Sequence, residues 1–149
     1  MKTRNPVPSW IPKVFYASAA MNWLSTIGTV LDPVAASRLL DIAPPNYPFA
    51  LRALAGLAFM FGFMFFEIAR DPMRKRAMIR YAWIEKAVGA VSVTIGFFAG
   101  DAPTAIFIMI CVSDWAWIVP FIHAGRVLDK IAKETDGGVA LGAPGLQQV

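Results

Sequence analysis

Five ionisable residues stand inside stretches that are otherwise apolar: Arg52, Glu67, Glu85, Lys86 and Asp114. A charge in such a setting is costly unless a partner or a hydrogen-bonding shell compensates it. At 1.5 Å per residue, Asp114 falls about 2 Å, and Lys86 about 6 Å, to the same side of the middle of its apolar block. A lysine stem spans that gap. Lys86 is therefore expected to pair with Asp114 across two helices. Glu85 and Glu67 are expected nearer the basic end, close to Arg70, Arg80 or His123. The cluster of Lys86, Asp114, Glu85 and Glu67 has two readings: an ion pair that fixes helix register, or a site that handles protons or binds a ligand.

Other chemistry is sparse. The single histidine, His123, could ligate a haem or chlorophyll metal or act as an acid or base; the alternative is contact with headgroups or a helix end. One His and one Cys (Cys111) do not suffice for a protein-only zinc site, a disulfide or a CxxC pair. Bis-histidine haem ligation within one chain is excluded by count. No GxSxG, HExxH or P-loop pattern occurs. Ser113 and Asp114 are neighbours that would point about 100° apart on a helix, so they are not a catalytic pair. No intrinsic cofactor is expected.

The elements that must position these residues are four apolar blocks at about 14–31, 49–69, 81–99 and 103–123. About 20 residues span a 30 Å hydrocarbon core as a helix. The blocks lack the alternation of barrel strands. Of 149 residues, 57% are hydrophobic and 16% charged, against about 25% charged in soluble domains; mean hydropathy is +0.54. The expected fold is all-α, a four-helix transmembrane bundle over 14–125. Residues 1–13 read as a basic arm and 126–149 as a cytoplasmic tail, flexible after Glu134. Pro12, Asp32-Pro33, Pro44-Pro45-Asn46 with Pro48, Asp71-Pro72 and Gly100-Asp101 with Pro103 punctuate the blocks. Segment 33–43 reads as a short interfacial helix or an ordinary outer loop. Asn22, Ser25 and Thr26, with the block's length, read the first block as a retained span, not a signal peptide.

Basic residues gather in the N-terminal arm (Lys2, Arg4, Lys13), the middle loop (Arg70, Arg74, Lys75, Arg76, Arg80) and the tail (Arg126, Lys130, Lys133). Four spans place all three on one side, which the positive-inside rule makes cytoplasmic. The expected location is the bacterial cytoplasmic membrane. The net charge of +4 is thus a topology signal, and nucleic acid is not an expected partner; lipids and other membrane subunits are. Small residues at Ala58 and Gly62, and at Ser92, Gly96 and Gly100, predict close helix packing, within the bundle or with a partner. Trp10, Phe15, Tyr16, Tyr81, Trp83 and Phe121 are expected at the inner interface, and Tyr47 and Phe49 at the outer one.

The stretch from Phe49 to Gly125 resembles the DoxX-like group of small four-span bacterial proteins. The resemblance lies in LRALAGLAFMFGFMFF, the ARDPMRKR loop, IEKAVGA and SDWAWIVPF. It implies a four-helix bundle and, for some members, a place as small subunits of quinone or thiol redox systems; the single cysteine here removes any dithiol role. Two functions are in view: a non-enzymatic accessory subunit of a larger membrane complex, or a membrane enzyme or carrier acting on a lipid or quinone. A channel or transporter would require an oligomer and has no internal repeat behind it.

Overall fold

The computed structural model describes residues 7–40 and 42–140, all helix, turn or loop, without a strand. Lys2, Arg4, Asp41 and the tail 141–149 lie outside the described residues. The helices are α1 (Trp10–Leu31), α2 (Pro33–Leu39), α3 (Pro48–Arg70), α4 (Ile79–Ala99), α5 (Thr104–Ile110) and α6 (Ala116–Ala140). A 3₁₀ turn, Arg76–Met78, leads into α4, and a π turn, Cys111–Trp115, joins α5 to α6.

Three helical stretches are long and apolar enough to cross a membrane: Pro48–Arg70, Arg76–Ala99 and Thr104–Thr135. These are compatible with a small integral membrane protein. The last has 32 residues, about 48 Å at 1.5 Å per residue, longer than a hydrocarbon core of about 30 Å. Helix therefore runs past residue 125, the expected end of the bundle. The chain continues as helix to Ala140, because Leu128, Ile131 and Ala132 have apolar neighbours to bury against. Likewise α1 begins at Trp10, within the stretch expected as a free arm. α1 has 22 residues, and its Ser18 and Asn22 are buried.

The helix ends follow from local chemistry. Asp32 Oδ1 accepts from the amides of Val34 and Ala35, at 3.0 Å each, and caps α2 with Pro33 in its first turn. α2 thus occupies most of the segment with two readings. Arg52 Nε donates to Val30 O at 3.0 Å, so this cation serves the open carbonyl end of α1. Gly100 adopts φ +83°, and Asp101 N closes onto Gly96 O at 2.8 Å. A left-handed exit of this kind favours glycine.

α1 packs chiefly along α3, and α4 along α6 and the π turn. The two pairs share one apolar core, built from Ile11, Phe15, Phe65, Ile79, Phe121 and Leu128 among others. Phe15 stacks on Phe121 at 4.5 Å, and Phe65 lies 5.3 Å from the same ring. Phe15 and Phe121, expected at the inner interface, are both fully buried and staple the two helix pairs together.

Ala58 and Gly62 face α1. A Cβ on Gly62 would collide with the Trp23 indole, and Ala58 O accepts from Asn22 Nδ2 at 2.9 Å. The other small-residue row does not pack helix on helix within the chain. Ser92 is exposed, a Cβ on Gly96 would meet Ala102 of the following turn at 3.6 Å, and one on Gly100 would meet nothing within 4 Å. The face of α4 turned to its neighbours instead carries Ala82, Lys86 and Ala90.

Candidate functional site

Lys86 is the centre of the interior polar cluster. It is 1% exposed, placed one turn after Ala82 and one before Ala90 on the inward face of α4. Its ammonium donates to Asp114 Oδ1 at 2.8 Å and to Asn22 Oδ1 at 2.6 Å. Asn22 in turn donates from Nδ2 to the backbone of α3. One ammonium thereby connects α1, α4 and the π turn directly, and α3 through the amide. The Phe65 ring lies 5.3 Å from Nζ, within range of a cation–π attraction.

The π turn explains how Asp114 reaches inward. Pro120 has no N–H, so Ala116 O loses its helical donor, and a proline ring crowds that carbonyl. In the preceding turn Ala116 N reaches back five residues to Cys111 O. Such one-turn widenings recur at functional sites. Here Ser113 and Asp114 are both buried despite being sequence neighbours. Trp115 Nε1 donates to Thr94 Oγ1 at 3.1 Å and ties the same turn to α4. Gly89 makes room for the carboxylate: a Cβ there would stand 2.6 Å from Asp114 Oδ2.

Glu85 stands at the edge of the cluster. Its Oε2 is 3.6 Å from Lys86 Nζ and is buried without a hydrogen-bond partner. Ser18 Oγ, Trp23 Nε1 and Trp117 Nε1 share that condition. One ammonium thus lies between two carboxylates, with unsatisfied polar atoms on neighbouring turns.

Glu67 does not join the cluster. It bonds Arg70 Nη1 at 3.1 Å and faces Lys75 Nζ at 3.9 Å on an exposed surface, where such pairs contribute about 0–1 kcal/mol. It sits at the end of α3, and the basic loop after it captures it before it can turn inward. His123 is exposed and stacks on Trp10 at 5.3 Å. Among the described residues no group of three His, Cys, Asp or Glu side chains is placed to hold a metal ion.

Sequence reasoning missed Asn22 and Gly89 as members. Their signals were available: an amide in an apolar helix, and a glycine three residues after the buried lysine. No family model, no curated protein and no solved structure matches this chain.

Proposed function

We propose that this is a four-span protein of the bacterial cytoplasmic membrane, with both ends cytoplasmic, that serves as a non-enzymatic accessory subunit of a larger membrane complex. The spans are α1, α3, α4 and the rod from Thr104. The observation that carries this reading is inverted polarity. Large apolar side chains such as Leu54, Leu57, Val88, Ile95, Phe98 and Val119 are exposed, while Lys86, Asp114, Asn22 and Ser18 are buried. Water would penalise that outside, and lipid or a partner helix accepts it. α1 is counted as a span on the same ground: its Ser18 and Asn22 turn inward, and Leu24 and Leu31 turn outward.

In this reading the Lys86–Asp114–Asn22 network is structural. Two acceptors already take the ammonium at 2.6 and 2.8 Å. The DoxX-like assignment belongs to the same proposal and rests on the motifs between Phe49 and Gly125. Native gels of a mild-detergent extract test it. Migration within a larger assembly is expected; migration solely as a monomer or homodimer would remove the accessory role.

One observation favours the alternative, a lipid- or quinone-linked enzyme or carrier. The Glu85 side chain is 16% exposed, and its buried oxygen beside the lysine has no hydrogen-bond partner among the described residues. If that edge binds a headgroup or a quinone ring, Glu85→Gln will lower the amount of that lipid or quinone that co-purifies. Unchanged co-purification would leave the structural reading alone.

A further inference from the structure

A cavity of about 400 Å³ opens between the start of α4 and the middle of α6. Arg76, Arg80 and Arg126 stand on its rim, and Trp83, Phe121 and Ile122 form its apolar wall. All three arginines are exposed. The guanidinium of Arg80 leans 5.1 Å over the Tyr81 ring. The one acid on the lining, Asp129, faces Arg76 at 3.9 Å, which leaves the rim with a surplus of two positive charges. Trp83 lies one helical turn before Lys86, so the groove sits where the basic loop meets the apolar span.

We propose that this groove binds an anionic phospholipid, with the phosphate on Arg80, Arg126 and Arg76 and the first acyl carbons against Trp83 and Ile122. The inference rests on the membrane-spanning reading. Guanidinium forks match phosphate oxygens, and basic pockets between helices at the cytoplasmic level select anionic headgroups. A free phosphate would satisfy the arginines but leave the apolar wall unused, and the wall continues directly from the charged rim. Gly125 shapes the floor: a Cβ there would meet Ile79 Cγ2 at 3.5 Å, so α4 and α6 approach closely beneath the groove.

The test titrates detergent-purified protein with phosphatidylglycerol, phosphatidylcholine or inorganic phosphate and counts bound ligand by native mass spectrometry. Phosphatidylglycerol is expected to bind in preference to phosphatidylcholine. Arg80→Gln with Arg126→Gln should weaken it about thirtyfold, from about 1 kcal/mol per basic residue. Arg70→Gln with Arg74→Gln removes the same charge outside the groove and should change little. Asp129→Asn should tighten binding several-fold, a gain that misfolding cannot mimic. Equal binding of the two lipids, equal loss in both double variants, or competition by inorganic phosphate as effective as by lipid would each overturn the proposal. Failure of the membrane reading shows itself earlier, as protein that stays monodisperse without detergent before any lipid is added.

Discussion

From Asn22 and Lys86 toward the basic end, every long helix contributes to one core. Phe15, Phe65 and Phe121 meet ring to ring, and Ile11, Ile68, Ile79 and Leu128 close around them. Away from that level the same four helices bury almost nothing. α1 has no buried residue after Asn22, α4 none after Ala90, and α5 none at all. The two halves are similar in residue type, with leucines, valines and phenylalanines in both. Apolar side chains have no reason to leave lipid for each other. The dense core forms where three rings meet and buried polar groups are shared, while the other half closes only locally, through Phe97 stacked on Phe107 at 4.3 Å and Arg52 on the end of α1. The half away from the basic end, the outer half, thus keeps large apolar side chains such as Val88, Ile95 and Phe98 exposed.

Asp114→Asn, or Lys86→Met, leaves a buried charge without its counterpart and should lower unfolding free energy by about 3–5 kcal/mol, measured by denaturation in micelles. Lys86→Met combined with Asp114→Asn should cost little more than either alone; additive losses would show that the two do not act as a pair. Next comes the inner core. Phe121→Ala should cost about 3 kcal/mol, whereas Phe98→Ala, at an 80% exposed site, should stay within about 0.5 kcal/mol in thermal melts. Equal losses would mean that the outer half is not open.

Glycines sharpen the contrast at smaller scale. Gly62→Ala and Gly89→Ala push a methyl into Trp23 or the Asp114 carboxylate and should cost about 1–3 kcal/mol. Gly56→Ala meets nothing within 4 Å and should be neutral or stabilising by up to about 1 kcal/mol. Asn22→Leu should cost about 0.6 and at most about 1.7 kcal/mol by the scale of interhelical hydrogen bonds in membranes. A loss as large as that of the ion pair would make the amide a second anchor.

Much of this architecture could be read from residues alone, because strong local constraints announce themselves. Asp32-Pro33, Asp71-Pro72 and Gly100 end helices by backbone chemistry that needs no tertiary context. Lys86 and Asp114 were legible as partners because desolvation leaves a buried charge few options. Asn22 was not, since an amide has many acceptors available and depth alone does not choose among them. The π turn was hidden for a similar reason: Pro120 forces a disturbance without specifying its form. Glu67 lies beside Arg70 as expected, but its membership of the cluster could not be judged from depth, which resembled that of Glu85 while the loop beside it offered two cations. For the row of Ser92, Gly96 and Gly100, spacing says which residues share a face, not whether a helix of the same chain covers it.

The lysine's two bonds also carry a schedule. Its partners lie 64 and 28 residues away, one upstream and one downstream. In a chain inserted as the ribosome extends it, Asn22 is already in place when Lys86 arrives. Asp114 follows after roughly 1.5–6 s at about 5–20 residues per second. During that interval the Asn22 amide and the neighbouring Glu85 carboxylate, 3.6 Å away, are the acceptors at hand, and Asp114 is the late arrival that fastens the ammonium.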